Sequence, residues 1–230
     1  MINYYLLTKP GIIFGNLVTV AAGFLLASKG VFHFSLFLAV LVGLGLIMAS
    51  ACVLNNFIDR KVDKKMTRTR TRALATGAIT AGNALLFAIL LLMIGSMVLL
   101  KFTNLLTFFA ASFGFFVYVI LYSLWKCHTI YGTAIGSIAG AIPPVVGYLA
   151  FSDRLDAGAL ILFAMMILWQ MPHFYAIAML HFDDYLAAGI PALPIIRGSF
   201  RTKIHMMVYI TAFTFVAMLL TAFNYTGYMY

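Results

Sequence analysis

Residues 30–63 read GVFHFSLFLAVLVGLGLIMASACVLNNFIDRKVD. From Gly30 to Ile58 there is no charged side chain, and the run then closes on Asn55, Asn56, Asp59, Arg60, Lys61 and Asp63. Such a length exceeds the roughly 20 apolar residues that carry a helix across hydrocarbon. Working outward, similar charge-free runs cover 10–28, 73–100, 102–125, 127–152, 157–182 and 204–230. The pattern predicts an all-α, polytopic transmembrane helical bundle with about seven spans. A soluble domain is excluded, because 64% of the 230 residues are hydrophobic and 9% charged, against about 45–50% and 25% in soluble proteins. Too few polar residues alternate with apolar ones for a porin-type barrel.

The fifteen Lys and Arg residues set the expected orientation. Twelve fall on one side of the predicted bundle, at Lys9, between Arg60 and Arg72, at Lys126, and at Arg197, Arg201 and Lys203; Lys29, Lys101 and Arg154 fall on the other. Positive loops stay cytoplasmic, so the amino terminus is expected inside and the end of the seventh span outside. The net charge of +9 is thereby topological, and no nucleic-acid partner is implied. The first run lacks a small-residue cleavage site and reads as a retained helix. Cys52 lies in a span and Cys127 beside a charged loop, so both read as small packing residues.

Two polar segments interrupt the apolar pattern, 59–72 and 181–203, and function is expected to concentrate there. Asn55, Asp59 and Asp63 recur every four residues, so on a helix they share one face. Like charges at this spacing repel unless a cation lies between or beside them. A divalent ion such as Mg²⁺, which takes hard oxygen ligands and completes its shell with substrate phosphates, would serve. The alternative is that Asp59 and Asp63 pair with the adjacent Arg60, Lys61, Lys64 or Lys65 in a solvated loop. The depth of Asn55 within the apolar run argues for a cavity, since polar groups in membranes face interior space.

Directly after come Met66-Thr67-Arg68-Thr69-Arg70-Thr71-Arg72. Arginine is the preferred bidentate partner of phosphate, so this run suits a diphosphate; anchoring of anionic lipid headgroups remains an equal reading. Lys61, Arg68, Arg72 and Lys126 are the candidate diphosphate contacts. Trp169-Gln170-Met171-Pro172-His173-Phe174-Tyr175 and His181-Phe182-Asp183-Asp184-Tyr185 contribute a histidine and a second acidic pair. Gly132, Gly136 and Gly140 form a smooth stripe suited to close packing of a neighbouring helix, and Pro143, Pro144 and Pro172 are expected to kink or break their helices. Aromatic side chains, with Tyr118, Tyr122 and Tyr175 foremost, could turn ring faces toward a carbocation.

Asn55, Asp59 and Asp63, the basic run at 66–72 and Trp169-Gln170-Met171-Pro172-His173 with Asp184-Tyr185 resemble the UbiA-type intramembrane prenyltransferases, within them the branch that farnesylates haem. Thr8-Lys9-Pro10-Gly11, Tyr131-Gly132-Thr133 and Gly140-Ala141-x-Pro143-Pro144 extend the likeness over nearly the whole chain. The resemblance implies transfer of a farnesyl group from farnesyl diphosphate to the 2-vinyl group of haem B, with addition of water, to give haem O. It implies Mg²⁺ held by Asn55, Asp59 and Asp63 in a first motif and by Asp183 and Asp184 in a second. Asn55, Asp59, Asp63 and Asp184 would be catalytic, and His173 and Tyr175 would contact haem. His181 and Tyr185 flank the second pair in place of an Asp-x-x-x-Asp spacing. Further implications are membrane lipid as surroundings, a bacterial cytoplasmic (inner) membrane location, and a terminal oxidase or haem A synthase as recipient of the product. Family members usually run on for about two more spans, so 1–230 is expected to be a single domain shortened at its carboxyl end. The weighed alternatives are a UbiA-type enzyme acting on an aromatic quinone precursor and a non-catalytic haem or anion carrier.

Overall fold

The structure is a computed structural model and describes residues 2–227. Seven helices are long and apolar enough to cross a membrane: α1 Pro10–Ser28, α2 Phe34–Asp63, α3 Ala81–Phe102, α4 Leu105–Trp125, α5 Gly132–Ser152, α6 Ala157–Leu180 and α7 Leu193–Ala222. The described residues contain no strand, as expected where lipid cannot satisfy an open sheet edge. Short helices at Ile2–Leu7, Ala73–Thr76 and Phe182–Ala188 lie between or before the spans.

α5 is the hub and packs against α1, α2, α4 and α6. Its side chains are small, and most are buried. Where α1 crosses it, a Cβ on Gly147 would stand 2.0 Å from the Val20 carbonyl oxygen, and one on Gly23 would stand 2.0 Å from that of Pro144. The two backbones therefore touch, which bare glycine surfaces permit. α2 and α3 meet in the same way at Gly43 and Gly95. Phe24, Val40, Leu44, Leu99 and Val146 fill the centre of the bundle.

Four details depart from the sequence expectation. α2 runs on to Asp63, more than a turn past the end of its charge-free run at Ile58, because nothing in the following residues breaks the helix before Lys64. The segment expected as a loop up to residue 203 is helical from Leu193, started by Pro194 in the first turn and bent at Gly198, whose φ is 75°. α5 and α6 run through Pro143, Pro144 and Pro172 without a break. Tight burial holds these prolines in line, although each leaves the carbonyl four residues earlier without its helical N–H donor. Finally, α4 widens into a π-helix over Val117–Tyr122, which no apolar periodicity announces.

The start of α1, the end of α2, the end of α4, the start of α5 and the Phe182–Ala188 helix gather at one end of the bundle. The opposite end is tied by Asp156, whose carboxylate caps α6 at the Gly158 N–H (2.9 Å) and accepts from the Tyr148 hydroxyl (3.0 Å). Asn104 there caps α4 and donates to the Leu149 carbonyl at 2.8 Å.

Candidate functional site

The cation-rich end holds a polar chamber of about 260 Å³. Asn55, Asp59 and Asp63 line it from one face of α2, as their spacing predicts on a helix. All three are buried, and each is met by a cation from elsewhere in the chain. Lys9 donates to Asn55 Oδ1 at 2.5 Å. Lys126 is ion-paired with Asp59 through a short hydrogen bond, and Arg72 Nη1 reaches both oxygens of Asp63 at 2.9 and 3.0 Å. None of the adjacent cations, Arg60, Lys61, Lys64 or Lys65, makes these pairs. Like charges one turn apart are thus neutralised across the chamber rather than along the helix.

The π-helix places two further parts. Its extra residue per turn brings Ser123 under the Tyr118 carbonyl, to which Ser123 Oγ donates at 2.9 Å. Asn55 Nδ2 in turn donates to Ser123 Oγ at 2.9 Å. Tyr118 and Tyr122 stack with ring centres 5.5 Å apart and planes within 22°, and Lys126 Nζ lies 5.2 Å from the Tyr122 ring centre. π-Segments of this kind are frequent at functional sites. Neither Lys9, noted from the sequence only in the cation tally and in Thr8-Lys9-Pro10-Gly11, nor Ser123 was expected at the site, since only the fold brings them to Asn55.

Among the remaining predicted residues, Arg68 lines the chamber and Lys61, exposed on α2, does not. Asp184 accepts from the backbone N–H groups of Thr67 (2.8 Å) and Arg68 (3.4 Å), so it clamps the Arg-rich loop. The Thr67 N–H above all holds its carboxyl below the usual carboxylate range. Asp183 is exposed. Tyr185 lines the chamber, and burial pushes its hydroxyl above the ordinary value, which keeps it a proton donor. No three His, Cys, Asp or Glu side chains converge among the described residues. The oxygen donors of Asn55, Asp59 and Asp63 nevertheless suit Mg²⁺, which takes only one or two carboxylates when phosphates complete its shell.

A second, apolar chamber of about 540 Å³ adjoins the first and shares Ile12, Tyr118, Tyr122, Phe174 and Ile177 as walls. It runs between α1, α2, α4, α5 and α6, lined by residues such as Leu44, Met48, Phe115, Ile142 and Met166. His173 and Trp169 also line it, stacked with ring centres 5.0 Å apart and planes within 14°. Tyr175 does not; it is buried against Met171, Leu193 and Tyr209 on the far side of α6, because two residues along a helix turn the side chain away from His173. The expected use of the glycine stripe also changes. Gly136 and Gly140 line the apolar chamber and receive the side chains of Tyr122 and Gln170, whereas Gly132 abuts the backbone of Lys126. Cys52 is a wall residue of this chamber, and both cysteines are free.

The model of the UbiA prenyltransferase family matches residues 16–230. The protoheme IX farnesyltransferase of Protochlamydia amoebophila is 56% identical over 231 residues, which cover 100% of this chain and 82% of that protein. That of Edwardsiella ictaluri is 53% identical, over 99% of this chain and 77% of its own length. A structure reported for digeranylgeranylglyceryl phosphate synthase superposes with a TM-score of 0.80 over 98% of this chain and 78% of its own, at 19% identity. A UbiA homologue from Archaeoglobus fulgidus, bound to GPP and Mg²⁺, gives 0.72 over 93% and 76%, at 17% identity. These two share the fold.

Proposed function

The chain belongs to the UbiA prenyltransferase family and is a multi-pass membrane transferase, and from that premise we propose that it moves a farnesyl group from farnesyl diphosphate to the 2-vinyl group of haem B, with addition of water, to give haem O. The observation that carries this reading is the junction of a charged chamber with an apolar one at Tyr118 and Tyr122. Such a pair of spaces fits a substrate with a diphosphate head and a long hydrocarbon tail. The names of the relatives at 51–56% identity agree with it and supply the acceptor. The twelve-to-three cation bias supports placement in a bacterial cytoplasmic membrane with the amino terminus inside, and haem A synthase or a terminal oxidase is the natural recipient of the product.

The residues divide the work by chamber. Asn55, Asp59 and Asp63 would hold Mg²⁺, which supplies positive charge to the departing diphosphate. Lys9, Lys126 and Arg72 already stand against those three side chains, so a modest swing brings each to a phosphate oxygen. Arg68 adds a further guanidinium at the rim, held by the Asp184 clamp. As the carbon–oxygen bond of farnesyl diphosphate breaks, positive charge develops at the first farnesyl carbon. Tyr118 and Tyr122 line both chambers at their junction, where that carbon would lie, and ring faces attract cations. The apolar walls keep bulk water from the cation until the vinyl group attacks it.

The test is incubation of membranes containing this chain with haem B, farnesyl diphosphate and Mg²⁺, followed by extraction and mass analysis. Haem O is expected, lost on chelation and in Asp59→Ala or Asp63→Ala with the protein still in the membrane. Full turnover in both variants overturns the metal assignment. Farnesylation of a quinone precursor but not of haem overturns the acceptor.

A further inference from the structure

The apolar chamber contains a polar side chain that the fold leaves uncommitted. Gln170 is 5% exposed, yet its carboxamide makes no hydrogen bond with any described residue, and it lines the chamber. Its oxygen and nitrogen open onto the chamber rather than being sealed against protein, so a partner for them has to come from within the cavity, and room has been made for this side chain. A Cβ on Gly140 would lie 2.1 Å from Oε1 and 2.6 Å from Nε2 of Gln170, so any side chain at 140 would push the amide out of place. Pro143 and Pro144 provide no N–H to the carbonyls of Ala139 and Gly140, which leaves backbone acceptors on the stretch of α5 that faces the amide.

The side-chain donors of this chamber on α1 are used within that helix. Asn16 Nδ2 donates to the Ile12 carbonyl at 2.8 Å, and Thr19 Oγ1 donates to the Asn16 carbonyl at 2.7 Å. A water needs two to four polar partners to be held in a buried site. The free carboxamide oxygen and nitrogen of Gln170, with His173 on the same wall, meet that need in a chamber that is mostly apolar.

The geometry points to Gln170 as the residue that positions the water used in the reaction. This rests on the haem farnesyltransferase reading, in which the vinyl group attacks the farnesyl carbon and leaves a cation on the vinyl carbon next to the porphyrin ring. Gln170 Oε1 accepts a hydrogen bond from the water, and a lone pair of the water oxygen forms the new bond to the vinyl-derived carbon. The proton released passes to the imidazole of His173, one turn further along α6 on the same wall. Diphosphate leaves with the electron pair of the broken bond, so one water is consumed and one proton released. Without a held water, the same cation sheds a proton from the neighbouring carbon and yields an alkene lighter by one water.

The experiment measures the ratio of hydroxylated to dehydrated farnesyl haem by mass, in membranes supplied with haem B, farnesyl diphosphate and Mg²⁺. Gln170→Leu is expected to lower that ratio by about tenfold or more, the loss of one to two hydrogen bonds, while farnesylated haem is still made. Gln170→Glu, nearly the same shape with an acceptor oxygen retained, is expected to restore it, a rescue that a packing role would not give. A wild-type ratio in Gln170→Leu overturns the assignment, as does lower total product with an unchanged ratio in both variants. Absence of any farnesylated haem from wild-type membranes is a different result and overturns the proposed function instead.

Discussion

Replacing Lys126 with Met removes the partner of Asp59 and the ammonium beside the Tyr122 ring. The two side chains are 15% and 7% exposed, so the pair lies inside the protein and Asp59 would be left as a buried, unpaired carboxylate. Breaking a buried pair from one side costs about 3–5 kcal/mol; the chamber beside it lets solvent reach one flank, which favours the lower end, about 3 kcal/mol. That corresponds to a shift of roughly 150-fold in the unfolding equilibrium. Adding Asp59→Asn removes the stranded charge, so the double variant is expected to recover most of the loss and cost about 1 kcal/mol. The assay is a double-mutant cycle by denaturant titration in detergent micelles, with diphosphate release followed in parallel. Turnover is expected to fall by about a hundredfold in Lys126→Met, as for loss of one preorganised charge on a leaving group, and to stay low in the double variant despite its recovered stability. Additive stability losses would refute the pairing. Recovered turnover in the double variant would refute a role for Lys126 on the diphosphate.

The remaining tests address other parts of the bundle. Gly147→Ala forces a backbone contact from 2.0 Å toward ordinary separation and is expected to destabilise by about 3 kcal/mol or more, whereas Gly15→Ala, with nothing within 4 Å, should be silent in the same titration. Tyr122→Leu deletes a ring face at the chamber junction and should lower kcat by about tenfold, while Tyr122→Phe should retain it; equal losses would assign the effect to the hydroxyl. Asp184→Asn weakens the clamp on the Arg-rich loop, so trypsin cleavage after Arg68 and Arg70 should accelerate and the KM for farnesyl diphosphate should rise; unchanged cleavage would show that the loop is held otherwise. His173→Ala should impair use of haem more than binding of farnesyl diphosphate.

What the sequence made legible follows from the range of the interactions involved. Span number and the shared face of Asn55, Asp59 and Asp63 are local properties, set by hydropathy and by 3.6 residues per turn. Arg72 could be named as a candidate phosphate contact from its neighbours in sequence. Its bond to Asp63, and those of Lys9 to Asn55 and Lys126 to Asp59, depend on which helix ends meet, a matter of packing between segments 9 to 67 residues apart. The π-turn was hidden because Val117-Tyr118-Val119-Ile120 reads as ordinary apolar helix. Asp184 was visible as an acid near the membrane edge, but its role as a loop clamp depends on where the backbone of Thr67 passes. Tyr175 shares a helix and an aromatic character with its neighbours, and only the rotation of α6 against α7 separates it from the chamber.

The same packing explains how one bundle can hold opposite environments side by side. The polar side chains at the end of α2 take partners from three other segments, and one of these, Lys9, is set by how α1 lies against α5. That contact depends on Gly23 and Gly147 near the far end of the bundle. Small residues distant from the charged chamber therefore set the position of Lys9 at the opposite end of α1, whereas the glycines nearer the site, 136 and 140, leave open space on α5 for Tyr122 and Gln170. The helix serves as a close-packed spine at one end and as a chamber wall at the other. The change occurs at Pro143-Pro144, the same step that frees the carbonyls of Ala139 and Gly140 beside the Gln170 amide.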